Sequence, residues 1–127
     1  MHFKLILVEK VGKKGRGVIA GEDIDVGEKI EWCPVLTFDA KHSDDIDKTP
    51  IYDYYFLWGP NNEQLAIALG YGSIYNHSFE PNAEYVPNYK ENYLEFFALR
   101  PIKEGEEITV NYNGSPENRE EVWFKTE

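Results

Sequence analysis

Three short segments of this 127-residue chain carry residue types that can bind a ligand or move a proton. Gly15-Arg16-Gly17 brackets a cation with two positions that have no Cβ, so a ligand can approach the backbone closely. Taken alone it is also an ordinary tight turn. The run Gly70-Tyr-Gly-Ser-Ile-Tyr-Asn-His-Ser-Phe-Glu-Pro-Asn82 is dense in hydrogen-bonding and turn residues. Within it, Asn76 offers a carbonyl acceptor and amide donors, and His77 belongs to the residue type that titrates near neutrality. The third segment, Glu104-Gly-Glu-Glu-Ile-Thr-Val-Asn-Tyr112, is an acidic turn feeding a strand that ends in a phenol. With one cysteine, Cys33, and three separated histidines, His2, His42 and His77, no metal set is predicted. Gly15-Arg16-Gly17 lacks the third glycine and the following helix of a dinucleotide fingerprint.

Short strands must position these segments. Phe3 to Val8, Lys29 to Phe38, Gln64 to Leu69, Ala83 to Val86, Tyr93 to Leu99 and Ile108 to Tyr112 read as strands from their β-branched and aromatic content. Val18-Ile-Ala20 is a further short apolar piece. Pro34 demotes its strand to an edge or a bulge, because it has no N–H for a ladder. Lys41 to Pro50 is polar and reads as a surface insertion. Tyr52 to Trp58 is aromatic and reads as a helical turn or two. Gly59-Pro-Asn-Asn62 and Asn88 to Asn92 are turns. Many short strands with little helix predict a mainly β domain, and the length predicts one domain over residues 1–127.

The net charge is −10 and the isoelectric point about 4.7. That argues against direct nonspecific nucleic-acid binding, which needs a phosphate-binding basic face, and it suits a basic protein partner. The first twenty residues are the exception, with five basic residues and one acid. No apolar run is long enough to span a bilayer, and no secretory signal is legible. The single cysteine suits a reducing, intracellular compartment; no nuclear or export signal is evident.

The order Gly-x-Gly, then Asn76-His-Ser with Pro81-Asn82, then Glu106-Glu-Ile-Thr-Val-Asn-Tyr112 resembles the SET domain of protein lysine methyltransferases. Asp53-Tyr-Tyr-Phe56 and Ala68-Leu-Gly-Tyr-Gly72 add to a likeness with compact, stand-alone viral and bacterial members. It covers about residues 4–112, with 113–127 as a closing tail. The resemblance implies a β-clip of small curved sheets, with a C-terminal pseudoknot that brings Asn76-His-Ser beside Tyr112. It implies S-adenosylmethionine as cofactor and a lysine of a basic protein, such as a histone tail, as substrate. A nuclear or host-directed location and a homodimer would follow from the same likeness.

By that likeness, Gly15, Arg16 and Gly17 contact the cofactor, Asn76 takes its amino-acid end, and the His77 backbone reads the adenine edge. Tyr112 is the catalytic tyrosine, orienting the amine or polarising the methyl. Tyr54 lines the lysine channel, and Tyr85 limits how many methyls fit. The attacking amine must be neutral, which costs about 4 kcal/mol at pH 7.5 for an unperturbed lysine; burial beside a cation lowers that cost. Relatives often close the channel with a cysteine-rich zinc segment, which has no counterpart here; Trp123 and Phe124 are the candidates for an aromatic cover. Glu84, Glu91 and Glu95 are candidates for an acidic groove. The alternative reading is a non-catalytic module of the same fold that binds a basic peptide or the cofactor.

Overall fold

The structure, a computed structural model, describes residues 5–12 and 15–112. Leu5–Val8 (β1) and Gly17–Ala20 (β2) form an antiparallel pair in the register Leu5↔Ala20 to Val8↔Gly17. Alternation puts Val18 and Ala20 of β2 into the core.

Among the described residues, the main sheet has five strands. Lys29–Asp39 (β3), Tyr55–Trp58 (β4), Gln64–Ala68 (β5), Ala83–Asn88 (β7) and Tyr93–Ala98 (β8) lie in the order β4-β5-β3-β8-β7. The 11-residue β3 is long enough to serve two partners in succession, pairing β8 over Lys29 to Pro34 and β5 over Val35 to Asp39. Of the expected edge or bulge, the edge is not found: Pro34 occupies a central strand, and that strand's register shift falls between Lys29 and Glu31. Pro34 stands where one partner gives way to the other: its carbonyl accepts from Leu69 N–H, and Val35 N–H goes to the Asn92 carbonyl. A residue without an N–H is tolerated at that handover because no ladder bond is required of it.

Two further expectations are corrected. Tyr52 to Trp58 is not helical throughout: a 3₁₀ turn ends at Asp53, and β4 follows as the sheet's edge. Its residues pair with the apolar β5, whose Leu65 and Ala66 are buried, and that pairing overrides local helical spacing. The last strand among the described residues is short, Thr109–Val110 (β9), and pairs in parallel with Asn76–His77 (β6). The insertion does form surface structure, with a 3₁₀ turn at Ala40–His42 and one helical turn at Ser43–Ile46 (α1), neither contributing a buried residue.

The C-terminal segment ties the pieces together. Ile24 and Ile102 exchange two backbone bonds at 2.8 and 2.9 Å, and Ile108 N–H reaches the Val18 carbonyl. The chain then leaves β2 and runs beside β6, where Ser78 N–H caps the Val110 carbonyl at 2.9 Å. One continuous core underlies all of this, including Trp58, Tyr75, Leu94, Phe96, Ile102, Ile108 and Val110. The result is the curved, mainly β arrangement expected, with sequence-distant motifs knotted together at β6 and β9.

Candidate active site

Tyr112 is held from three directions. Its backbone N–H donates to Nδ1 of the buried His77 at 3.0 Å. Its hydroxyl donates to the Tyr75 carbonyl at 2.6 Å, and its own carbonyl accepts from the Tyr85 hydroxyl at 3.3 Å. The His77 ring packs against the Tyr112 ring at 5.2 Å and edge-on to Phe79 at 4.5 Å. This convergence follows from β6–β9 pairing, which sets Val110 opposite His77 and so delivers Tyr112 next to residues 75–77.

Tyr112 faces a cavity of about 570 Å³ that Tyr54, Tyr75 and Tyr85 also line. Burial raises the Tyr112 phenol well above the usual tyrosine range, and the nearby Tyr54, Glu107, Tyr85 and Asp53 add to it. Burial, with Tyr89 beside it, pushes Tyr85 up to about 12. Both are therefore neutral phenols at physiological pH. Tyr85 is fixed by an edge contact with Phe56 at 5.1 Å and a tilted contact with Phe96 at 5.9 Å. Tyr54 follows the 3₁₀ turn Pro50–Asp53, its N–H bonded to the Ile51 carbonyl. Asp53 is the one carboxylate among the described lining residues. The candidate groove acids do not line this cavity: Tyr85 and Pro87 do, so alternation turns Glu84 to the other side of β7. Glu95 is paired with Lys29 at 3.0 Å, and Glu91 belongs to the β7–β8 turn.

The glycine segment meets the middle motif on the opposite side of the same strand. Asn76 donates its amide to the Arg16 carbonyl at 3.0 Å and to the Glu107 carboxylate at 2.8 Å. Gly17 packs so closely that a Cβ would lie 2.7 Å from Val11, 2.8 Å from Glu107 and 2.9 Å from Asn76. Gly15 has φ +86°, a left-handed conformation natural for glycine, with open space around it. Tyr75, immediately before β6, serves the cavity, while Asn76 at the start of β6 serves the glycine segment.

Gly15, Arg16, Gly17, Asn76 and His77 thus gather around β6, and Tyr54, Tyr85 and Tyr112 around the adjoining cavity. Trp123 and Phe124 lie outside the described residues. Sequence reasoning missed several partners. Asn82 is fully buried; its Oδ1 accepts from Thr109 N–H at 2.8 Å and its amide donates to the Glu107 carbonyl at 2.7 Å. Glu107 supports Asn76. Glu31 accepts from the Tyr75 hydroxyl at 2.7 Å and from Tyr71 N–H at 3.1 Å. An acid between the apolar Ile30 and Cys33 was the available signal for Glu31.

The SET-domain family model matches residues 15–113. A Schizosaccharomyces pombe histone-lysine N-methyltransferase, H3 lysine-37 specific, is 34% identical over 116 residues, covering 91% of this chain and 74% of that protein. The Drosophila melanogaster histone-lysine N-methyltransferase Su(var)3-9 is 32% identical over 124 residues, covering 85% of this chain and 20% of the relative. Among solved structures, a provisionally assigned histone methyltransferase of Plasmodium falciparum superimposes with TM-score 0.68 at 29% identity, covering 88% of this chain and 99% of that one. The Chaetomium thermophilum Polycomb Repressive Complex 2, autoinhibited and bound to S-adenosylmethionine, gives TM-score 0.72 at 20% identity over 88% of this chain and 15% of that one, a likeness of fold alone. The chain belongs to the SET-domain family and is a protein-lysine methyltransferase.

Proposed function

We propose that the protein transfers methyl groups from S-adenosylmethionine to the ε-amine of a lysine in a basic protein, with a histone tail as the substrate class. The observation that carries this reading is the triply held Tyr112 between the tyrosine-lined cavity and the Asn76 strand. The names of the Schizosaccharomyces and Drosophila relatives support the substrate class, as does the net charge of −10.

The residues around Gly17 fit the cofactor. The Asn76 amide is engaged by the Arg16 carbonyl and Glu107, which leaves its Oδ1 to accept from the ammonium of an amino acid. Glu107 adds a negative charge for the same cation. A Cβ at Gly17 would push into this pair, so the bare backbone is part of the cradle. When bound, S-adenosylmethionine supplies an electrophilic methyl on a sulfonium, which a neutral amine takes by in-line displacement.

The protein's own groups do the rest. His77 presents Nδ1 as an acceptor to Tyr112 N–H, so its side chain builds the site and is not the base. Tyr112, kept protonated by burial, donates a hydrogen bond to the Tyr75 carbonyl, and its oxygen remains an acceptor that orients the amine. The aromatic lining excludes water and disfavours the ammonium form of the entering lysine. Asp53 supplies the charge that attracts that lysine before it is desolvated.

The test is transfer of labelled methyl to core histones, a nucleoid protein and ribosomal proteins, read by intact mass and peptide mapping. One to three methyl units on a defined lysine, lost in Tyr112→Phe, are expected. Cofactor binding with no transfer to any of them would favour the non-catalytic module instead.

A further inference from the structure

The Tyr75 carbonyl that receives the Tyr112 hydroxyl has an anchor of its own. Tyr75 is almost fully buried, and its ring is tilted against Phe96 at 4.7 Å. Its hydroxyl reaches across to β3 and donates to Glu31 Oε1 at 2.7 Å. The second oxygen of the same carboxylate accepts from Tyr71 N–H at 3.1 Å. Glu31 thus holds residue 75 by its side chain and the turn before it by its backbone. The fit is close: at Gly70, with φ +70°, a Cβ would lie 2.6 Å from Glu31 Oε2. Glycine there satisfies both the left-handed backbone and the approach of the carboxylate.

A carboxylate accepts at both oxygens, whereas a carboxamide of the same shape accepts at one and donates at the other. The donors around Glu31, which are the Tyr75 hydroxyl, Tyr71 N–H and the Cys33 thiol, call for the carboxylate. The hydrogen-bonded path then runs from Glu31 to the Tyr75 ring, through residue 75 to its carbonyl, and on to the Tyr112 hydroxyl.

We propose that Glu31 is a positioning residue for Tyr112, fixing the Tyr75 carbonyl that orients the Tyr112 hydroxyl. This rests on the reading of Tyr112 as the hydroxyl at the methyl-transfer centre. Loosening the carbonyl lets the phenol rotate away from its working direction, and small misplacements of reacting groups are expensive.

The test compares Glu31→Gln, Tyr75→Phe, Tyr112→Phe and the pair Glu31→Gln/Tyr112→Phe in the full chain. Glu31→Gln should lower kcat about 10- to 100-fold, with KM for peptide and Kd for cofactor within about twofold. It should lower the rate no further in the Tyr112→Phe background, as expected of residues acting as one unit. A second readout needs no turnover: in protein carrying ¹³Cζ-tyrosine, the Tyr112 resonance, assigned by its loss in Tyr112→Phe, should shift in Glu31→Gln and in Tyr75→Phe, while that of Tyr93 stays in place. If Glu31→Gln does not fold, Tyr75→Phe carries both readouts. A folded variant with the Tyr112 resonance unmoved overturns the proposal, whether or not kcat falls. Full activity of Tyr112→Phe overturns the site reading itself, and the role of Glu31 falls with it. Loss of activity in Tyr112→Phe with normal kcat in Glu31→Gln overturns the Glu31 role alone.

Discussion

The imidazole of His77 and the backbone of Tyr112 form one unit: Nδ1 accepts from the Tyr112 N–H at 3.0 Å while the two rings pack at 5.2 Å. An acceptor at Nδ1 places the proton of the neutral ring on Nε2. The most recognisable histidine of the sequence therefore acts as a buried fastener for the last tyrosine.

Replacing His77 by alanine should strip that N–H of its acceptor and destabilise the fold by about 1–3 kcal/mol. Asparagine can return an oxygen near the Nδ1 position, so His77→Asn should recover part of the loss. Urea denaturation of both variants decides it: equal midpoints would mean the hydrogen bond contributes nothing beyond the ring's packing.

Two glycines two residues apart should behave differently. A methyl at Gly17 meets Val11, Glu107 and Asn76 at 2.7 to 2.9 Å, so Gly17→Ala should displace the Asn76 pair and weaken cofactor binding at least about tenfold, or 1.4 kcal/mol. A methyl at Gly15 meets open space but inherits φ +86°, a strain of about 1–2 kcal/mol. Gly15→Ala should therefore appear in thermal stability more than in affinity. Calorimetric titration beside a melting curve separates the two, and an unchanged affinity in Gly17→Ala would refute the cradle.

Asn82 uses both ends of its carboxamide to clamp the segment leading to Tyr112. Asn82→Ala should cost about 2–4 kcal/mol, since it leaves Thr109 N–H and the Glu107 carbonyl without partners in the interior. Loss of the clamp should also reduce methyl transfer through Tyr112. A denaturant midpoint within error of wild type would show that the clamp is dispensable.

Alkali should unfold the protein steeply. Cys33, pushed up to about 12 by burial and then by Glu31, and Tyr85, also near 12, join Tyr75 and Tyr112, which burial raises as well. Their ordinary values are 9.0 for the thiol and 10.0 for the phenols. A group whose folded value is raised stabilises fully below its unfolded value and loses that contribution as pH climbs towards the folded one. Stability should thus be flat to about pH 9 and fall between there and 12. Circular dichroism against pH tests this, and Tyr85→Phe, which removes one such group, should soften the slope.

Much of the architecture was legible because strands announce themselves locally. The apolar runs at Gln64 to Leu69 and Tyr93 to Leu99 became β5 and β8 almost at their predicted bounds. Pro34 and the aromatic run before Trp58 were misread for one reason. Whether a strand is central or at an edge, and whether an aromatic run is helical or extended, depends on which distant segment pairs with it.

The residue types and order of the motifs were determined by the sequence alone: glycines without Cβ, an asparagine with donor and acceptor, and a phenol closing an acidic run. Those are chemical properties of single residues and survive without a fold. Tertiary structure decided which of their atoms are engaged. Parallel pairing of β6 with β9 turned His77 into an acceptor for Tyr112, and β3 carried Glu31 to a tyrosine 44 positions away. Hydrogen-bond direction and burial arise only where distant segments meet, so these assignments lie in the packing and not in the local pattern.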